Sequence, residues 1–206
     1  LMNLSQYAVY QNKLADLVGL ERRPEFAHPS LLGQGTKWQD EIFRTVISQS
    51  HQISFSGGKD NTSYYVSGSY LDQPGVLIGT EYKRYTFKVN FDTQVKDWLR
   101  IGTNISAGIS NERYAINQSF TGVLTNLLLQ APDMPVYNAD GSFYQPGDQR
   151  NPTQMLAYFT DNDYINRFLG NFSASYQITK DLSYKVVLGL DNSKSQRTSF
   201  ADPRLG

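Results

Sequence analysis

The residues that could carry catalysis or bind a metal ion are few and scattered. The chain holds two histidines, His28 and His51, and no cysteine. Neither histidine has further ligands nearby in sequence, and the spaced oxygen ligands of a calcium loop are missing. Asp40 and Glu41 are adjacent, so in an extended segment their carboxylates point apart. The sequence therefore predicts no metal site, no cofactor and no enzymatic activity.

The residues best suited to bind a ligand lie in long polar loops. Tyrosine rings can stack on a sugar or a peptide, and Asn and Asp side chains can form hydrogen bonds with it. We expect ligand contacts at Tyr114, Asn117, Tyr137, Tyr144, Tyr158 and Asp161. Ordinary loop packing is the alternative interpretation for each of them.

The element around which the chain is organised is a hairpin of two long strands, residues 82–109. Apolar and polar residues alternate in it, and such a period of two predicts strands with one apolar and one polar face. The turn is predicted at residues 92–97. With about 3.3 Å per residue and a tilt near 45°, ten or eleven residues cover about 25 Å, the height of the apolar band of an outer-membrane barrel.

The same alternation recurs at residues 49–57, 64–70, 167–176 and 182–191. The fold class is therefore predicted to be all-β, with about six antiparallel meander strands of a transmembrane β-barrel and a long helix-containing extracellular loop. The predicted organisation is a loop with a short helix at 1–45, four strands in 46–110, a long extracellular loop at 111–164, two strands in 165–191, and the start of the next loop at 192–206.

Three local features are predicted outside the strands. Apolar spacing predicts a helix from Leu4 to Val18, with Ser5 as its N-cap and Gly19 as its C-terminal stop. A second amphipathic helix is predicted at residues 120–131, where Pro132 stops it. Asp140-Gly141 is the strongest hairpin-turn signal.

The apolar face has the distribution of a barrel exterior. Its lipid-facing residues are predicted to be Ile53, Phe55, Val66, Phe87, Val89, Ile101, Ile105, Phe172, Val186 and Leu188. The predicted aromatic girdle consists of Tyr64, Tyr70, Tyr85, Phe91, Trp98, Phe168, Tyr176 and Tyr184. Girdles around an aliphatic band, and short turns on one rim with long loops on the other, are typical of outer-membrane barrels. A soluble carbohydrate-binding β-sandwich, or a small closed β-barrel, is the alternative.

Composition excludes two other classes. The formal net charge is zero and no long run of one sign occurs, so no nucleic-acid partner is expected. No run of 18 apolar residues is present, so no transmembrane helix is expected.

Several stretches together resemble the SusC/RagA family of TonB-dependent outer-membrane transporters. They are residues 38–45 (WQDEIFRT), 51–58 (HQISFSGG), 64–68 (YYVSG), 83–85 (KRY), 131–138 (APDMPVYN), 140–142 (DGS) and 151–152 (NP). The resemblance is carried by their combination and order, and it extends over roughly residues 3–191.

This resemblance implies a barrel of about 22 strands with an N-terminal plug, energised through TonB. It also implies a SusD-like surface lipoprotein partner and import of glycans or peptides across the outer membrane of Bacteroidetes. Because the chain shows no TonB box and no plug, we expect it to be an excerpt from the early barrel that contributes wall strands, in contact with outer-membrane lipid, and extracellular loops.

Overall fold

The structure is a computed structural model that describes residues 1–116, 122–145 and 147–205. Its main element is one sheet of six antiparallel strands that pair in chain order. The strands are β1 (Gln49–Lys59), β2 (Thr62–Pro74), β3 (Glu81–Lys96), β4 (Leu99–Tyr114), β5 (Phe159–Gln177) and β6 (Ser183–Ala201). The predicted antiparallel meander is confirmed.

Helices occur in the segments that flank and connect the strands. The α-helices are α1 (Leu4–Val18), α2 (Trp38–Ile42), α3 (Val123–Leu129) and α4 (Pro152–Tyr158), and 3₁₀ turns occupy Pro24–Phe26, Pro29–Leu31 and Pro203–Leu205. None of the helices within the described ranges is long and apolar enough to cross a membrane.

Helix α1 spans Leu4–Val18 as predicted, but its N-cap lies two residues before the predicted one. Asn3, rather than Ser5, caps the helix, because its side chain accepts from the Gln6 backbone while the Gln6 side chain accepts from the Asn3 backbone. This reciprocal pair is a capping box. Gly19 ends the helix as predicted, in the left-handed conformation with φ 72°. The second predicted helix is shorter than 120–131, and its predicted start, Phe120, lies outside the described residues.

The strands are longer than the sequence indicated. The turn predicted at 92–97 is reduced to Asp97 and Trp98, with a bulge between Gln94 and Lys96. Strand β4 ends at Tyr114 and β5 begins at Phe159, because the two strands remain paired from Asn111–Tyr164 to Tyr114–Asp161, so the predicted 111–164 loop is shorter at both ends. Residues 192–201 continue β6, so the prediction that a loop begins at residue 192 is wrong. In these extensions most residues of both faces are polar, so the alternation disappears although the backbone ladder continues.

The register places the predicted apolar residues on one side of the sheet. One row across the strands reads Phe55, Val66, Val89 and Ile105, each directly opposite the next. We call this side, with all the predicted lipid-facing and girdle residues, the apolar face, and the opposite side the polar face. Aromatic pairs lie near both ends of the apolar face, with ring centroids 4.9 Å apart for Tyr70–Tyr85 and 5.1 Å apart for Trp98–Tyr176.

Nothing in the described structure covers the apolar face. Phe55 remains 63% exposed and Leu188 65% exposed. Strands β1 and β6 do not pair with each other, and no second sheet is formed by the described residues. The alternative of a β-sandwich or a small closed barrel is therefore wrong for this part of the chain, since either fold would bury that face.

The helices and long connections pack together at one end of the sheet. Their core, which with its surrounding segments we call the loop body, consists of Trp38, Ile42, Val123, Leu127, Val136, Met155 and Leu205. A bridge between Phe43 and Leu77 joins the loop body to the β2–β3 connection. At the opposite end of the sheet the strands are joined by short connections at residues 60–61, 97–98 and 178–182.

Candidate functional site

The end of the polar face next to the loop body carries an ion pair that the sequence did not reveal. Arg197 on β6 donates from Nε to Asp161 Oδ1 at 2.8 Å and from Nη2 to Asp161 Oδ2 at 2.5 Å. The same guanidinium lies 4.9 Å from the ring centroid of Tyr114, which is directly opposite Asp161 in register. Such bidentate pairing fixes the position of both side chains.

This pairing changes the expected role of Asp161. Its side chain is only 7% exposed and both of its carboxylate oxygens accept from Arg197, whose side chain is 59% exposed. The guanidinium, and not the carboxylate, is therefore the charged group accessible from the polar face. Sequence reasoning missed Arg197, because Ser193, Ser195 and Ser199 around it carry no apolar alternation.

Two more predicted ligand contacts lie in an aromatic chain on the loop body. The Tyr137 ring is 5.1 Å from the Phe143 ring, and Phe143 is 5.5 Å from Tyr158. The Arg204 guanidinium lies 4.1 Å from the Tyr158 ring centroid and donates to its hydroxyl at 3.2 Å. Tyr137 remains 49% exposed, so its ring is available for stacking.

Of the remaining two predicted ligand contacts, Tyr144 lies in the described structure and Asn117 does not. The backbone of Tyr144 belongs to the loop body, where its N–H donates to Val136 and its carbonyl accepts from Asn151. Asn117 lies outside the described residues. The described structure thus places Tyr114 and Asp161 together on the sheet, and Tyr137 and Tyr158 together on the loop body.

Charged and turn residues stabilise the surroundings of the aromatic chain. Arg204, which donates to the Asp202 carboxylate from its side chain and its backbone, lowers the pKa of Asp202 to about 2. The Ser142 hydroxyl and backbone N–H likewise lower the pKa of Asp140 in the Tyr137–Phe143 hairpin. Gly141, at φ 83°, completes the turn predicted from Asp140-Gly141.

Asn151 joins the Tyr137–Phe143 hairpin to α4. Its replacement by alanine is expected to destabilise the loop body. The fully buried amide donates to the carbonyls of Val136 and Tyr144 at 2.8 and 3.0 Å, while its Oδ1 accepts from the Thr153 N–H at 3.0 Å. The variant loses the helix cap and leaves buried carbonyls unpaired, which should lower the free energy of local unfolding by about 1–3 kcal/mol. Hydrogen exchange of the α4 amides measures this cost.

Asn138→Ala is the matched control, since it removes an exposed amide of the same hairpin. Its effect should stay below about 1 kcal/mol. Equal exchange rates in the two variants would contradict the bridging role of Asn151.

The described residues contain no group of three or more His, Cys, Asp or Glu side chains placed to hold a metal ion. What the site offers is exposed aromatic rings and a guanidinium held in place by a buried carboxylate. Groups of this kind bind by stacking and by hydrogen bonds.

Comparison with known proteins relates this architecture to one family. No family model matches the chain. It is 33% identical over 174 residues to TonB-dependent receptor P3 of Formosa agariphila, covering 80% of this chain and 17% of that protein. It is 28% identical over 203 residues to TonB-dependent receptor SusC of Bacteroides thetaiotaomicron, covering 85% of this chain and 20% of SusC.

Solved structures agree with the sequence relatives. The structure of the RagAB peptide transporter matches 80% of this chain and 20% of its own, with a TM-score of 0.67 and 25% identity. The chain belongs to the SusC/RagA family. It spans about a fifth of the length of these relatives. The 'closed-closed' RagAB structure, at 23% identity, supports the fold with a TM-score of 0.70 over 96% of the chain.

Proposed function

We propose that this SusC/RagA-family chain forms part of the wall and entrance of an outer-membrane β-barrel that imports glycans or peptides in a TonB-dependent way. In this proposal the apolar face contacts acyl chains, the polar face lines the lumen, and the loop body lies on the outer side. A SusD-like lipoprotein and TonB are the proposed protein partners. The family relation supports each of these assignments.

The observation that carries the proposal is the uncovered apolar face of an open sheet. Large side chains such as Ile53 and Leu188 remain more than half exposed. In water such a face would drive aggregation, whereas in a bilayer it is solvated by lipid. The unpaired edges of β1 and β6 would likewise need neighbouring strands, as they have in a closed barrel.

Polarity along the sheet supports the direction of the proposed orientation. Past Tyr85 and Phe168 the apolar face becomes polar, with Lys83, Asn111 and Lys194 in the next positions. The strands therefore continue beyond the apolar band on the side of the loop body. Long loops on the outer side and short turns on the periplasmic side are the usual arrangement of such barrels.

The proposed entrance combines the two groups of ligand contacts. Tyr114, with Arg197 beside it, faces the polar side of the sheet, and Tyr137 and Tyr158 lie on the loop body. Aromatic rings suit the apolar faces of sugars as well as peptide side chains, and a guanidinium suits carboxylates or hydroxyls. The alternation of rings and hydrogen-bonding groups supports a role in capturing either substrate class.

Spin labels at register pairs test the orientation. The chain has no cysteine, so single cysteines can be placed at Val89 and Ile105 on the apolar face, and at Lys88 and Ser106 on the polar face. In the complete polypeptide in its outer membrane, the first pair should collide more with dissolved oxygen and the second more with a water-soluble nickel chelate. Equal or reversed accessibility would contradict the orientation.

Import is tested separately in the bacterium that carries the gene. Deleting the gene should abolish uptake of its glycan or peptide substrate, and dissipating the proton-motive force should abolish it as well. Uptake that persists after either treatment would contradict TonB-dependent import by this protein.

A further inference from the structure

A groove lies in the apolar face where small residues interrupt the row of large ones. Gly68 on β2 and Ala107 on β4 are directly opposite Phe87 on β3. The Phe87 ring therefore has a residue with little or no side chain on each side. The rings of Tyr85 and Phe168 form the sides, and the cavity volume is about 560 Å³. A Cβ atom added at Gly68 would meet nothing within 4 Å, so the groove is open above this residue.

One end of the groove is polar and positively charged. Asn166 and Asn192 line it there, and Lys194 is directly opposite Asn166 in register. Within the described residues, Lys194 has no carboxylate within 4.0 Å, and its side chain is exposed. An unpaired ammonium thus lies beside the mouth of an apolar groove, with two amides that can donate hydrogen bonds.

The shape and chemistry of the groove favour one kind of occupant. A peptide strand cannot add here, because the backbone groups of β2, β3 and β4 are already paired in the ladder. An apolar chain fits between the rings, and a negative group fits beside Lys194. A phosphate-bearing membrane lipid has both parts joined in one molecule.

We infer that this groove binds a lipid from the surrounding membrane leaflet whose phosphate headgroup has a net negative charge. Its acyl chain lies over Gly68 and Ala107 between the aromatic rings, and its phosphate is bound by Lys194 with hydrogen bonds from Asn166 and Asn192. This inference rests on the proposed orientation of the apolar face and adds a defined lipid site to it.

Native mass spectrometry of the complete protein tests the inference. The protein is released from nanodiscs that contain equal amounts of phosphatidylglycerol and phosphatidylcholine, and retained lipids are counted. We expect preferential retention of phosphatidylglycerol. Lys194→Gln should reduce that preference about fivefold, the effect of one basic residue at a membrane surface. Gly68→Leu should lower retention of both lipids about tenfold by filling the groove.

Two matched controls keep the result specific. Val66→Leu adds bulk on the same face but outside the groove, and Lys185→Gln removes a cation from the polar face. Both should retain lipid as the unmodified protein does. Unchanged retention in Gly68→Leu would overturn the site, and equal retention of the two lipids by the unmodified protein would overturn the headgroup assignment.

The remaining outcomes are also decisive. If Gly68→Leu dissociates a dimer and leaves lipid retention unchanged, a second copy occupies the groove and the inference is wrong. Failure of this lipid site is distinguishable from failure of the proposed function. If only the lipid site is wrong, the spin label at Val89 still collides more with oxygen and the label at Lys88 more with the nickel chelate. If the proposed orientation is wrong, this difference disappears.

Discussion

Replacing Trp38 by alanine should cost about 3–5 kcal/mol of loop-body stability, because it opens a large cavity in the core. The indole is only 2% exposed, packs with Ile42, Leu127 and Met155, and donates from Nε1 to the Ala131 carbonyl at 3.0 Å. The amides of α3 and α4 should therefore exchange hydrogen faster, since local unfolding sets their exchange rate. Strand amides of β2 and β3 should keep their protection.

Trp38→Phe separates packing from hydrogen bonding. It keeps most of the apolar volume and loses the bond to Ala131, so we expect a smaller cost of about 1–2 kcal/mol. Should α3 and α4 exchange at the same rates in the alanine variant and the unmodified protein, the loop body would not depend on this core.

Val89→Arg should destabilise the membrane-inserted protein by about 2–4 kcal/mol, because it places a cation near the bilayer midplane. Val89 lies in the middle of the apolar face, opposite Val66 on one side and Ile105 on the other. Ile105→Arg should have a similar effect. Chemical unfolding in phospholipid vesicles measures the free energy of unfolding for each variant.

Thr86→Arg provides the control on the same strand. Thr86 belongs to the polar face, opposite Ser69 and Gly108, and is proposed to face water in the lumen. Arginine should therefore cost far less here than at Val89. Similar losses at Val89 and Thr86 would mean that the two faces meet similar surroundings, which the proposed orientation forbids.

The sheet could be predicted from sequence wherever its two sides differ. From Tyr64 to Tyr70 and from Tyr85 to Phe91, apolar and polar residues alternate because one side is apolar and the other polar. The helix end at Gly19 and the turn at Gly141 could also be predicted, because the left-handed backbone conformation at both positions favours glycine.

Past the apolar band this signal vanishes. Residues 192–199 are polar on both sides, so nothing in their pattern distinguishes a strand from a loop, and only pairing with β5 shows that they are extended. The Arg197–Asp161 pair was missed for this reason. Its two residues are 36 positions apart and meet only because the register of β5 and β6 brings them together.

The sequence by itself determined the apolar face, the short turns and the family resemblance, because each depends on neighbouring residues or on a linear order of motifs. Tertiary structure alone decided the extent of the strands, the loop body and the groove over Gly68. These depend on contacts between distant residues, such as the bond from Trp38 to Ala131 across 93 positions. Local sequence patterns do not indicate which side chains, distant in sequence, pack against each other.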